Sequence, residues 1–150
     1  MTKEIRHSFV IDAKPEAIAE ALTRAEHLRG WWTREATLQG GRLGAGWSGH
    51  GWVVTLDVVR NDAEGQVVWR CVRSNMQNTD AWEGTTILFA LTPVPGGTRV
   101  DFQQSGYRES PCYETSVQGW KYFLGSSLKR YLETGKGTPY PEAQNWREAT

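Results

Sequence analysis

Hydrophobic and polar residues follow a period of two along much of this chain. From Glu4 to Asp12 the apolar residues Ile5, Phe9 and Ile11 partly alternate with polar ones, which predicts a first strand covered on one face. Glycine-rich turns punctuate the middle of the chain, and short connections between strands favour antiparallel pairing in a meander. The further predicted strands lie near residues 35–48, 52–60, 66–73, 82–92 and 98–106.

Two short helices are predicted between the first strand and the second. Pro15 is suited to the first turn of a helix, and Ile18 and Leu22 then share one side of it. Residues 23–26 (Thr-Arg-Ala-Glu) have the spacing of a capping box, which predicts that a second helix begins there and ends near Trp32.

A third, much longer helix is predicted from Ser110 to Thr134, because large apolar residues recur there at alternating gaps of three and four. They are Tyr113, Val117, Trp120, Leu124, Leu128 and Tyr131. A helix of about 23 residues is roughly 34 Å long, similar to the roughly 33 Å of a strand of about 10 residues. We therefore predict an α+β fold in which a curved antiparallel sheet of about six strands wraps around the C-terminal helix.

The domain organisation predicted from these elements is simple. Residues 1–135 form a single domain, and residues 136–150 form a polar C-terminal tail in which Trp146 is expected to contact the body. Gly135 is expected to stop the long helix.

Charge and composition restrict the kinds of partner that the chain is expected to bind. The 150 residues contain 17 Lys and Arg against 17 Asp and Glu, so no electrostatic field favours nucleic acid or an anionic membrane. No apolar run reaches membrane-spanning length and no signal sequence begins the chain, so we expect a soluble, cytoplasmic protein that binds a small molecule or another protein. Cys71 and Cys112 lack the spacing of a metal or redox site and are expected to be buried, reduced thiols.

Motifs for cofactors and metals are weak. Residues 44–49 spell GxGxxG, but a dinucleotide site needs a helix next, whereas residues 52–56 continue as a strand. His7, His27 and His50 lack metal-ligand spacing. We therefore expect no cofactor and no metal.

Polar side chains on the predicted strands are the remaining candidates for chemistry. Asp57, Glu83 and Asp101 are assigned to strands, where burial of a carboxylate would raise its pKa. Alternation places Asp101 on the outer face and Gln104 on the inner face with Phe102. An inward glutamine without partners would cost about 1 to 3 kcal/mol, so Gln104 either bonds to backbone or is available to a ligand.

Several motifs in order resemble the Bet v 1-like (START-like, SRPBCC) helix-grip superfamily, and within it the family related to the C-terminal domain of the Hsp90 ATPase activator. They are residues 13–17, Trp31-Trp32, Gly40-Gly41-Arg42, residues 51–54, 67–69, 97–100 and 105–107, Gly119-Trp120, Leu124, Leu128 and residues 131–133. At Gln104 the chain departs from many relatives, which have a histidine. A glutamine cannot titrate and is a poor general acid or base.

The resemblance implies a cavity between the sheet and the long helix that takes up a small apolar or aromatic molecule, although the residue pattern alone also fits a solid core. In this hypothesis the chain is a non-enzymatic binding module, and Gln104 orients a polar group of the ligand. The predicted ligand-binding residues are Trp32, Trp69, Cys71, Ile87, Phe89, Phe102, Gln104, Trp120 and Leu124.

Two alternatives remain open. Because related folds include polyketide cyclases, the chain could be an enzyme whose titrating group is Asp57, Glu83 or His7. The resemblance also admits a chaperone or a second copy of the chain as partner. In that case the contacts would come from exposed tryptophans such as Trp47, Trp52 or Trp146.

Overall fold

A computed structural model describes residues 2–111 and 113–142. Their strands form a seven-stranded antiparallel sheet in the order β1-β7-β6-β5-β4-β3-β2. The strands are β1 (Thr2–Ile11), β2 (Thr37–Gln39), β3 (Arg42–Trp47), β4 (Trp52–Asn61), β5 (Gln66–Ser74), β6 (Thr86–Val94) and β7 (Gly97–Arg108). Two short helices follow β1, as predicted: α1 (Pro15–Thr23) and α2 (Ala25–Trp31). A single 3₁₀ turn occurs at Asp62–Glu64, and a tight turn with non-helical backbone occurs at Met76–Asn78.

The predicted long helix is present and continuous. It consists of α3 (Tyr113–Tyr122), a π-helical segment (Phe123–Leu128) and α4 (Lys129–Thr134), which together are called the C-terminal helix. The helix ends at Thr134 as predicted, because Gly135 adopts the left-handed conformation with φ 86° and its N–H bonds back to the carbonyl of Tyr131.

The fold class is confirmed, with differences in three elements. The strand predicted over residues 35–48 is two strands, because Gly40 and Gly41 turn the chain at φ 59° and 77°. The described part of the C-terminal helix begins at Tyr113 rather than Ser110. Strand β6 begins at Thr86 rather than near residue 82, so the assignment of Glu83 to a strand is wrong: this residue lies in a turn that ends at Gly84.

The predicted capping box is also wrong. Helix α1 runs through Thr23, whose hydroxyl donates a hydrogen bond to the carbonyl of Ala19 at 2.7 Å instead of capping α2. Arg24 precedes α2 in an extended conformation and makes no side-chain cap. The hydroxyl therefore bonds backward within its own helix, a known competitor of capping.

The C-terminal helix lies along β1. Near its start the Tyr113 hydroxyl donates to the carbonyl of Glu4 at 2.7 Å. Near its end Glu133 accepts the N–H of Asp12 at 2.9 Å, and the adjacent Lys129 ammonium donates to a β1 carbonyl at 2.7 Å. These contacts hold both ends of the helix, so that Trp120 in its first half faces the sheet.

The predicted inward face is confirmed. Trp120, Leu124 and Leu128 are at most 2% exposed, and Gln104 is fully buried while Asp101 is directed outward and accepts the Ser8 hydroxyl at 2.7 Å. The sheet residues predicted to meet the helix are all buried: Val67, Trp69, Cys71, Ile87, Phe89 and Leu91. None of the described helices is both long and apolar enough to cross a membrane.

The first part of the segment predicted as a tail is bound to the body. The N–H of Tyr140 donates to the carbonyl of Trp32, its carbonyl accepts the N–H of Arg34, and the N–H of Thr138 donates to the Ser127 hydroxyl, each at 2.9 Å. Ser127 lies in the π-helical segment, which thus contributes to holding this arm. The expected contact of Trp146 and the burial of Cys112 lie outside the described residues.

Candidate functional site

An aromatic pocket opens between α3, the hairpin that joins β3 to β4, and the turn after β5. Its volume is about 490 Å³, a figure that includes space open to solvent. Among the described residues that line it there is no Asp, Glu, Lys or Arg. Five tryptophans contribute to its walls: Trp32, Trp47, Trp52, Trp82 and Trp120.

The hairpin brings two of these tryptophans together. Trp47 ends β3 and Trp52 begins β4, and the two are direct cross-strand partners, so both side chains lie on the same face of the sheet. Gly51 closes the turn between them at φ 75°. The exposed His50 ring stacks on Trp52 with 4.3 Å between ring centroids and 14° between planes, and so forms part of the rim.

The back wall is a row of stacked indoles. Trp120 lies between Trp32 and Trp82, with centroid distances of 5.7 and 5.4 Å and interplanar angles of 22° and 16°. Trp47 meets Trp32 edge-on at 5.3 Å. Stacked and edge-to-face pairs of this kind stabilise beyond the area they bury, so the wall is held by its own contacts.

A buried hydrogen-bond network fixes this wall from behind. The indole N–H of Trp120 donates to Oε1 of Gln104 at 2.9 Å, and Nε2 of Gln104 donates to the Thr85 hydroxyl at 3.1 Å. That hydroxyl donates in turn to the carbonyl of Trp82 at 2.7 Å. Gln104 therefore bonds to side chains rather than to backbone, and it links the elements that carry two wall tryptophans.

The turn after β5 carries unusual backbone. Gln77 and Asn78 have φ of 54° and 65°, and Gln77 lines the pocket together with Met76. Asparagine tolerates this left-handed region, whereas glutamine does so less readily. Such conformations cost on the order of 1 to 3 kcal/mol and cluster at binding and active sites.

Tyr140 closes one side of the pocket. Its hydroxyl accepts the N–H of Gly49 at 2.7 Å, and its backbone bonds to Trp32 and Arg34 hold it in place. The arm after the C-terminal helix is thereby tied to the β3–β4 turn.

Of the nine predicted ligand-binding residues, the structure brings Trp32 and Trp120 to the pocket. The other seven lie in the packed core: Trp69, Cys71, Ile87, Phe89, Phe102, Gln104 and Leu124. There the rings of Phe89 and Phe102 are 5.5 Å apart, and Phe102 is 4.9 Å from Trp120. Burial, with a smaller effect of the Glu83 charge, raises the pKa of the Cys71 thiol to about 12.

The titrating groups considered for an enzyme lie elsewhere. Asp57 pairs with Arg42 at 3.0 Å on the outer side of the sheet. His7 is half-buried against the carbonyl of Val117, 3.2 Å from its Nε2, and burial lowers the pKa of its imidazole. Neither of these residues nor Glu83 lines the pocket.

The prediction that Trp47 and Trp52 are exposed is wrong. Trp47 is 5% exposed and Trp52 is partly buried, because both point to the concave side of the sheet. The sequence contains a signal for this burial, because Leu43, Ala45 and Trp47 alternate on the inner face of β3. The hairpin then places Trp52 opposite Trp47 on the same face. The pocket residues of the turns, Gln77, Trp82 and Tyr140, carry no comparable periodic signal.

The family model described as Activator of Hsp90 ATPase homolog 1-like protein matches residues 12–133. The chain belongs to this family. The match confirms the resemblance drawn from the motifs, and the helix-grip fold of the family supports a module that binds a ligand or resembles an activator of the Hsp90 ATPase. Among curated protein sequences no match is found.

Solved structures agree with the family. The solution structure of the Aha1 dimer from Colwellia psychrerythraea is 30% identical in sequence, covers 90% of this chain and 99% of its own, and has a TM-score of 0.75. An AHSA1-like protein from Aeromonas hydrophila is 19% identical over 89% of this chain and 94% of its own, with a TM-score of 0.63. A protein from Staphylococcus saprophyticus is 19% identical over 90% and 95%, with a TM-score of 0.67. The last two show the fold alone.

Proposed function

We propose that this chain binds a small apolar or aromatic molecule in the aromatic pocket between α3 and the β3–β4 hairpin. The observation that carries the proposal is the convergence of five tryptophans on one opening that no described Asp, Glu, Lys or Arg lines. Pockets for small molecules are concave, mostly apolar and equipped with a few polar groups. Burial of apolar ligand surface would contribute roughly 25 cal/mol per Å².

Two further features support this site. The stacked wall of Trp32, Trp120 and Trp82 is fixed from behind by the network of Gln104, so it is preorganised for a planar partner. The left-handed backbone at Gln77 also lines the pocket, and local strain of this kind is typical of binding sites.

The test is a binding experiment with a matched pair of variants on α3. Thr115 lines the pocket, whereas Gln118 is partly buried three residues further on and does not line it. We expect Thr115→Phe to fill the pocket and to abolish tryptophan quenching and the rise in melting temperature caused by single-ring aromatic compounds. Gln118→Phe should retain both effects. Equal responses of the two variants would place the binding elsewhere, and flat responses of the wild type across the series would refute the proposal.

A second candidate function is the binding of a protein partner, either a chaperone or a second copy of the chain. It is favoured by the 30% identity to the Aha1 dimer over 99% of that chain. Sedimentation over a range of concentrations tests self-association, and stimulation of the ATPase activity of a purified Hsp90 tests the chaperone. A monomeric chain without effect on the ATPase would remove this candidate and leave the pocket unaffected.

A further inference from the structure

The indole N–H groups around the pocket fall into two classes. Those of Trp82 and Trp120 are engaged, the first with the hydroxyl of Ser116 at 3.2 Å and the second with Gln104 at 2.9 Å. The N–H of Trp52 is buried, yet it has no acceptor within residues 2–111 and 113–142. Buried polar groups of folded proteins nearly always have partners, so a buried donor without one requires an explanation.

Two neighbouring indole N–H groups also lack an acceptor among the described residues, although of the three only that of Trp52 is buried. No hydrogen bond of the indole N–H of Trp32 or Trp47 occurs in the described part of the chain, and both residues line the same pocket as Trp52. An indole nitrogen is a donor only, so none of these three groups can be satisfied by another donor. The pocket therefore offers donors in excess to whatever enters it.

The charge of the lining restricts the ligand further. Aromatic walls can attract an organic cation through the ring faces. A cation, however, would leave the buried N–H of Trp52 without an acceptor, and no described carboxylate lines the pocket to balance its charge. An anion would likewise find no lysine or arginine there.

Building on the proposed function, we infer that the ligand is an uncharged planar molecule with a hydrogen-bond acceptor, such as an aromatic ketone, and that the N–H of Trp52 binds this acceptor. The nitrogen is sealed from water while the exposed His50 ring stacks on the indole at 4.3 Å. Because this nitrogen is buried, the acceptor can reach it only if the side chains around it shift locally. The wall tryptophans then stack on the planar body of the ligand.

The experiment compares acetophenone with α-methylstyrene, which has the same shape but a methylene group in place of the carbonyl oxygen. Dissociation constants are measured on the full chain through the ¹H–¹⁵N signals of the tryptophan side chains. The carbonyl of acetophenone is better hydrated in water than the methylene group of α-methylstyrene. The ratio of the two dissociation constants is therefore compared between the wild type and its variants, where this hydration difference cancels. Trp52→Phe removes the proposed donor, and Trp31→Phe is the matched control, because Trp31 does not line the pocket and its N–H already donates to the carbonyl of Ala21 at 2.8 Å.

We expect the ratio of the acetophenone constant to the α-methylstyrene constant to rise about 3- to 10-fold in Trp52→Phe, the loss of one hydrogen bond, and to stay unchanged in Trp31→Phe. In the wild type, acetophenone alone should move the Trp52 N–H signal downfield, and this readout decides the question even if a variant does not fold. An unchanged ratio without this shift would overturn the inference while leaving the proposed function intact. Tighter binding of phenyltrimethylammonium than of either probe would also overturn it. Binding of none of the three would refute the proposed function itself.

Discussion

Replacement of Gln104 by leucine tests whether the buried network holds the pocket wall. The side chain is fully buried, accepts the N–H of Trp120 at 2.9 Å and donates to Thr85 at 3.1 Å. Leucine is apolar and of similar length, so Gln104→Leu removes the hydrogen bonds without opening a large cavity.

The magnitude follows from which groups are left without a partner. The N–H of Trp120 loses its acceptor inside the core, which costs about 1 to 3 kcal/mol. The Thr85 hydroxyl loses one donor but still donates to the carbonyl of Trp82 at 2.7 Å, so its loss is smaller, about 0.5 to 1.5 kcal/mol. Burial of the apolar leucine offsets part of the sum, and we expect a net loss of about 1 to 3 kcal/mol in the free energy of unfolding.

Urea denaturation followed by circular dichroism measures this loss, and the melting temperature should fall by roughly 2 to 4 °C for each kcal/mol in a chain of this size. Gln103→Leu is the control, because Gln103 is the next residue of β7, is only partly buried and points to the other face. Its effect should stay within about 0.5 kcal/mol.

A double-mutant cycle makes the test specific for the hydrogen bond. In Gln104→Leu combined with Trp120→Phe no indole donor is left without an acceptor, so the combined loss should be smaller than the sum of the single losses. Equal stability of the two leucine variants, or strict additivity in the cycle, would refute the claim that the network stabilises the wall.

Three further predictions concern single groups. Burial lowers the pKa of His7 below its ordinary 6.5, so near and below that pH the unfolded chain binds more protons than the folded chain. The free energy of unfolding should therefore fall as the pH is lowered from 7.5 to 5.5. The substitution His7→Phe should flatten this part of the pH profile. With a pKa of about 12, Cys71 should resist iodoacetamide at pH 8 in the native chain and react in urea, as followed by peptide mass mapping that separates it from Cys112. In Tyr140→Phe the amide of Gly49 loses its acceptor and should exchange with solvent about 2- to 10-fold faster.

Each of these has a clear contrary result. A pH profile of equal slope in His7→Phe would assign the titration to other groups, and labelling of native Cys71 at the rate of the unfolded chain would contradict its burial. For the exchange experiment Tyr113→Phe is the control, since its hydroxyl bonds to β1 far from the turn. Equal exchange at Gly49 in both variants would show that Tyr140 does not restrain the turn.

The fold was predictable because its signals are local. The inward face of the C-terminal helix follows from the spacing of Trp120, Leu124 and Leu128, and all three are buried as the period requires. Similarly, the alternation along β7 placed Gln104 inward and Asp101 outward. Predictions at the ends of elements were less accurate. The capping role predicted for Thr23 is wrong because α1 continues through this residue.

The position of the pocket was harder to predict, since periodicity identifies the inner face but not the gap between opposed side chains. Phe102 lies 4.9 Å from Trp120 and 5.5 Å from Phe89, so the space expected between helix and sheet is filled by rings at this point. The opening lies instead at one end of the helix, where turns supply Gln77 and Tyr140. Turns lack a period, and their residues meet only through the three-dimensional fold.

The back wall and the rim of the pocket differ in how strongly each contributes to the stability of the fold. The back wall is part of the core, because Trp120 packs on Phe102 and bonds to Gln104, so changes there alter the ligand and unfold the protein together. The rim is carried by turns, where His50 is exposed and Gln77 is partly buried. Substitutions at the rim remove little core packing and should change which ligand enters at a small cost in stability. We therefore expect substitutions at His50 and Gln77 to change which ligand binds, whereas the wall tryptophans are needed to hold the C-terminal helix in place.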